Sequence, residues 1–219
     1  MNRREFSKHA TLMGAAGLVL GASPLAQAQG MAPVEGTNYV RLSQRAPVSA
    51  PAGKIEVVEF FWYGCPHCHH FDPALSAWAA KLPADVAFRR VPVAFRENPF
   101  VIHQKLYFTL EGMGLLGSLH MKVFNAIHEQ QMKLDTVDAI TDYLVKQGVD
   151  KDKFLAMFNS FGMQNKVKQA RALAEAYRID GVPTLGIQGQ YFTSVSLNGT
   201  PDKTLATVNF LVDKVRKGK

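Results

Sequence analysis

The run Ile55-Glu56-Val57-Val58-Glu59-Phe60-Phe61-Trp62 constrains the fold more than any other part of the chain. It is nearly continuous in β-branched and aromatic residues, so it predicts a central strand buried on both faces. Such a strand needs a layer on each side, which points to helices packed over a sheet. Gly64 ends the run. The segment from there to about Leu82 reads as a helix with Pro66 in its first turn, where proline's missing N–H is no loss. Pro73 lies inside that pattern and predicts a kink. Val86 to Val93 reads as a second strand, completing a strand–helix–strand unit.

Tyr39, Val40 and Leu42 suggest a short strand before it, and the Pro/Gly-bearing stretch Ala46 to Gly53 a loop. From Pro99 to about Gly162 the apolar period is helical. Val137, Ile140 and Leu144 share one face, as do Phe154, Met157, Phe158 and Phe161. A further helix spans Asn165 to Tyr177. Strand character returns at Thr184 to Gln188 and Tyr191 to Leu197, with Gly189-Gln190 as the hairpin signal. Thr200 and Pro201 are a cap and a first helical residue. They open a helix that should bury Leu205, Val208, Val212 and Val215. This order implies an α/β domain, residues 29–97 and 166–219, interrupted by an all-helical insertion at 98–165.

The ordinary composition, 47% hydrophobic and 20% charged, excludes collagen-like, disordered and acidic-tail classes. The net charge of +7 is scattered, and Lys214, Arg216, Lys217 and Lys219 read as a polar chain end. It is a solvated surface rather than a nucleic-acid footprint. Residues 1–28 have the three-part form of an export signal. Arg3, Arg4 and Lys8 come first, then an uncharged Gly/Ala/Leu stretch, then Ala26-Gln27-Ala28, with cleavage expected after Ala28. Arg3-Arg4-Glu5-Phe6-Ser7-Lys8 is similar to a twin-arginine signal, and an ordinary secretory signal is the alternative. Either route leads out of a bacterial cytoplasm to the periplasm, where disulfides persist.

The only cysteines are Cys65 and Cys68, one C-x-x-C placed after the buried strand and at a helix start. As a staple this pair closes so short a loop that the chain-entropy gain is only about 2 kcal/mol. As a metal site it would borrow His67, His69 and His70, but consecutive helix residues point apart, and His69 and His70 read as a solvated face. Cys65-Pro66-His67-Cys68-His69 also matches the C-x-x-C-H of c-type haem attachment, without a distal ligand in sight. The stronger reading is a redox dithiol. A helix N-terminus stabilises an anion, so Cys65 should be an exposed, thiolate-like nucleophile, with His67 adding positive charge. Cys68, a turn later and more buried, would resolve the mixed disulfide. Glu59, in mid-strand, is costly to bury, and its pKa should rise. Six residues before Cys65, it sits where it can exchange a proton with Cys68. Arg89 or Arg90 is the alternative partner that would make it merely structural. Val182-Pro183 precedes a strand, where a cis bond would make a tight turn.

Glu59 through Cys68, Glu-Phe-Phe-Trp-Tyr-Gly-Cys-Pro-His-Cys, together with Val182-Pro183-Thr184, resembles the DsbA family of bacterial thiol:disulfide interchange proteins. The likeness runs through essentially the whole chain after the export signal. It implies a thioredoxin-like fold with an inserted helical domain and a periplasmic disulfide oxidase without a cofactor. By that resemblance Cys65 is the nucleophile, Cys68 the resolving thiol, His67 (beside Pro66) the thiolate stabiliser and Glu59 the buried acid. Pro183 is the cis-proline opposite the dithiol, and Val182 offers backbone to an extended substrate. The implied partners are reduced exported polypeptides and a DsbB-type quinone-linked membrane oxidase. Pro73, His69 and His70 depart from the best-known members. A related isomerase or reductase would carry an N-terminal dimerisation domain. The stretch between Gln29 and the central strand is too short for one, so a monomer is expected.

Overall fold

The computed structural model describes residues 32–218, so the expected export signal and cleavage site lie outside the described residues. Strand β1 is Val40–Arg41, β2 Ile55–Phe61, β3 Val86–Pro92, β4 Thr184–Ile187 and β5 Tyr191–Ser194. They form one mixed sheet in the order β1-β5-β4-β2-β3. All seven residues of β2 are buried, as its nearly continuous apolar character predicts, and Glu56 and Glu59 are buried with it. β2 runs parallel to β3, with Glu59 opposite Arg90, and antiparallel to β4, with Glu59 opposite Leu185.

Helix α1 (Pro66–Ala79) and helix α8 (Pro201–Arg216) cover one face of the sheet. There Val57 joins Phe71 and Leu75 of α1 and Val208 and Leu211 of α8. On the other face Val58 and Phe60 meet Tyr177, and that core continues into the helical layer. Gly186 of β4 is needed there. A Cβ on it would lie 2.4 Å from Tyr177 Cε1 and 2.9 Å from Val58 Cγ1.

Between β3 and β4 lie α2 (Phe100–Gly112), α3 (Leu116–His128), α4 (Val137–Lys146), α5 (Lys151–Phe158) and α6 (Phe161–Ala176). The expected common face of Phe154, Met157, Phe158 and Phe161 does not survive. The chain turns at Asn159, and the Ser160 hydroxyl accepts from Met163 N to start α6. Phe154 and Phe158 are buried, whereas Phe161 is 75% exposed. Because α6 runs on without a break, the expected domain boundary at 165/166 falls inside a helix.

Helix α1 continues past Pro73 and ends at Ala79, short of Leu82. The hairpin turn sits one residue earlier than Gly189-Gln190 suggested. Gln188 (φ 50°) and Gly189 (φ 63°) take the two left-handed positions, and Gln190 N donates to Ile187 O at 2.9 Å. That geometry matches the twist of the flanking strands. β5 stops at Ser194, not Leu197. The Ser194 hydroxyl caps a short helix α7 (Val195–Asn198). Its last residue, Asn198, is buried and directs its amide to Asn38 O, Thr193 Oγ1 and Ser194 O. A buried amide needs such partners, and an extended strand would not supply them. In α8, Leu211 takes a buried position while Val215 stays partly exposed.

Candidate active site

Cys65 is the N-cap of α1, with extended backbone (φ −90°, ψ 115°) and Pro66 at the first helical position. Its own N–H donates to Trp62 O at 3.0 Å, which closes the turn out of β2. Its sulfur accepts from Cys68 N at 3.4 Å, where a serine or aspartate oxygen commonly caps a helix. The Cys68 thiol and the N–H groups of Cys68 and His67 hold Cys65 down to about 6 against an ordinary 9, despite burial, with a smaller contribution from the His67 charge. Cys68 is fully buried, and burial, then the hydrogen bond to Cys65, pushes its thiol well up. The two sulfurs of one motif therefore differ sharply in acidity.

Cys65 was expected to be exposed, yet only 7% of it is. The cause is the loop before β4, which brings Val182 O to 3.5 Å from Cys65 Sγ. The Val182–Pro183 bond is cis, as is Asn98–Pro99, which the sequence did not suggest. Pro66 and His67 are exposed. Trp62 stacks on Phe100 (4.0 Å between rings, 17°), and Phe95, 42% exposed, meets the edge of Phe100. An aromatic surface thus flanks the dithiol turn.

Glu59 is 1% exposed and pairs with Arg90, Nε to Oε2 at 2.9 Å. Burial pushes its carboxyl up to about 8 even so. Glu59 thus has an arginine partner, and burial still shifts its carboxyl toward neutral pH. Arg89 takes Glu56 instead, at 2.9 Å, a second buried carboxylate that the sequence reading passed over.

His70 is exposed on the solvated face, but His69 is not. Its Nε2 donates to Asn125 Oδ1 at 2.9 Å, and its ring stacks on His128 (5.1 Å, 12°) because α1 packs on α3. His128 in turn donates from Nε2 to Tyr63 O at 2.8 Å, two residues before the nucleophile. His69 is thus engaged inside the protein, which counts against its role in a haem-attachment motif. Among the described residues no three His, Cys, Asp or Glu side chains are grouped to hold a metal. His128, Asn125 and His120 carry no local sequence signal, since only the docking of α3 on α1 brings them to the site, whereas Asp72 stands on α1 itself.

Comparison with known proteins agrees with this geometry. The family model described as DSBA-like thioredoxin domain matches residues 101–203. The chain is 44% identical over 209 residues to thiol:disulfide interchange protein DsbA of Burkholderia cepacia, covering 95% of this chain and 97% of that one. It is 45% identical over 181 residues to the DsbA of Pseudomonas aeruginosa, 83% of this chain and 85% of that one. The crystal structure of Pseudomonas aeruginosa DsbA superposes with a TM-score of 0.82 at 44% identity, covering 85% of this chain and 96% of that one. The fold is thus thioredoxin-like with a helical insertion, the haem and isomerase readings are not favoured, and the chain belongs to the DsbA family as a thiol:disulfide oxidoreductase of disulfide-bond formation.

Proposed function

We propose that this protein oxidises reduced exported polypeptides in the periplasm by donating the Cys65–Cys68 disulfide. A substrate thiolate attacks Cys65 Sγ, the bond to Cys68 breaks, and Cys68 leaves as a thiolate. Glu59, protonated near neutral pH, supplies that thiolate with a proton. A second substrate thiolate then attacks the substrate sulfur of the mixed disulfide and expels Cys65. Two electrons pass from the substrate dithiol to the protein dithiol. The observation that carries this reading is the thiol N-cap, with Cys65 acidic and Cys68 buried and basic.

His67, between the cysteines, adds positive charge at the thiolate, and Pro66 starts the helix without an idle N–H. Pro183 keeps Val182 O turned to Cys65, where Val182 backbone can pair with an extended substrate chain. The exposed ring of Phe95 and the partly exposed Trp62, both packed on the buried Phe100, suit unfolded polypeptide, which is rich in apolar segments. In this reading residues 1–28 are the export signal, the working unit is a monomer, and a DsbB-type quinone-linked membrane oxidase restores the disulfide.

The test is oxidation of a reduced model protein by the purified oxidised protein. Substrate thiols should disappear in step with formation of Cys65 and Cys68 thiols, and Cys65→Ala should abolish the transfer. Substrate thiols left intact by the oxidised protein would overturn the assignment.

A further inference from the structure

The Glu59–Arg90 pair is part of a larger cluster that runs from the buried Glu59, Asp72 and His120 out to the partly buried Arg90 and the exposed Ser76. Arg90 Nη2 also donates to Asp72 Oδ1 at 2.7 Å and to Ser76 Oγ at 2.8 Å. The Ser76 hydroxyl donates to Asp72 Oδ2 at 3.0 Å. His120 Nε2 lies 3.2 Å from Asp72 Oδ1, and its Nδ1 lies 2.9 Å from the Tyr63 hydroxyl. With the Tyr63 hydroxyl donating to Nδ1, a neutral His120 donates from Nε2 to Asp72 and every polar atom of the pair is satisfied. A cavity of about 210 Å³ lies against Asp72, Ser76, Arg90 and His120.

Two buried carboxylates thus share one guanidinium. If both ionise, one negative charge is left without compensation, so one of them keeps its proton. Asp72 gathers three donors, from Arg90, His120 and Ser76, and is the better anion. We propose that Asp72 is a positioning residue for Glu59: held by His120 and Ser76, its carboxylate claims Arg90 and so leaves Glu59 with the proton that Cys68 takes up. This rests on the reading of Glu59 as the proton source.

The directions of titration agree. Burial works to push Asp72 up, but the bonds from His120, Arg90 and Ser76 hold it below its ordinary value. Burial pushes Glu59 up, and the Asp72 charge adds to that. The other groups that bear on Glu59 are Arg90 from β3, the two cysteines from α1, Tyr107 from α2, and Tyr63. His120 acts on it through Asp72, and burial keeps its imidazole on the neutral side.

The test is the titration of Glu59 itself, read by carboxyl 13C NMR on the reduced full-length protein and assigned with Glu59→Gln. Asp72→Asn should lower the Glu59 midpoint by about 1–3 units, because Arg90 then pairs with Glu59 alone. His120→Gln, which keeps a donor to Asp72, should leave the midpoint near wild type, whereas His120→Leu should lower it. Ser76→Ala, a milder change, should lower it by less, and it decides the matter should Asp72→Asn not fold. In an Arg90→Gln background most of the Asp72→Asn shift should vanish. Persistence of the full shift there would show plain charge repulsion and overturn the role of Arg90. An unmoved Glu59 midpoint in the folded variants would overturn the proposal. The underlying reading is tested separately: if Glu59→Gln leaves the pH dependence of Cys68 alkylation unchanged, Glu59 is not its proton source, whatever Asp72 does to Glu59.

Discussion

Removing the Cys68 thiol should make Cys65 a weaker acid although no charge is lost. The Cys68 thiol is the foremost support of the Cys65 thiolate, ahead of the N–H groups of Cys68 and His67. A hydrogen bond to a charged group contributes about 1.5–3 kcal/mol, and each pKa unit corresponds to about 1.4 kcal/mol. Cys68→Ala should therefore raise the Cys65 midpoint from about 6 by about 1–2 units. It should remain below the ordinary 9, because the helix-end amides stay in place. Cys68→Ser keeps a hydroxyl donor and should recover most of the shift. The assay is thiolate absorbance in the ultraviolet against pH, checked by the pH dependence of alkylation. A midpoint unchanged in Cys68→Ala would mean that the amides alone carry the thiolate. The quantity matters for the reaction. At pH 7 a thiol that titrates near 6 instead of 9 stabilises the reduced form by about 1.4 kcal/mol, or about 30 mV toward a stronger oxidant. Because this pKa is depressed, the stabilisation grows as pH rises from 6 toward 9 and is lost as pH falls through 6.

Glu59→Gln should stabilise the fold at alkaline pH. A carboxyl titrating near 8 instead of 4.5 costs stability progressively between those values, since the unfolded chain releases its proton first. Urea unfolding should show a gain of about 2–4 kcal/mol at pH 8 that fades near pH 4; an equal gain at both pH values would contradict the raised titration. Gly186→Ala places a methyl 2.4 Å from Tyr177 Cε1. It should destabilise by about 1–3 kcal/mol, measured as a lower denaturation midpoint, and an unchanged midpoint would show that the Tyr177 ring yields freely. His128→Phe retains an aromatic ring on His69 but removes the donor to Tyr63 O. A loss of about 1–3 kcal/mol is expected, partly restored by His128→Gln, and equal stability of the two variants would deny that the bond matters.

Much of this arrangement was legible locally. A short, nearly continuous run rich in β-branched and aromatic residues reads as a strand covered on both sides, and β2 is buried throughout. A cysteine placed between a strand-ending glycine and a helix-starting proline becomes an N-cap, because each neighbour fixes the backbone within one turn. Glu59 could be flagged because a carboxyl amid apolar neighbours announces its own cost. Where the sequence misled, a hydrogen bond overruled the apolar pattern. Ser160 and Ser194 restarted helices that a reading of hydrophobic period had merged or missed.

The sequence by itself determined which residues could do the chemistry, since motif, strand and helix start lie within a few residues of one another. The tertiary structure alone decided how those residues are tuned. Arg90 faces Glu59 because β2 and β3 pair in one register and not another. Arg90 is shared with Asp72 because α1 lies over that face, and His120 and His128 arrive because α3 docks on α1. Acidity at a buried group depends on distances of a few ångströms to charges and donors, and residues far apart in the chain acquire such distances only by packing.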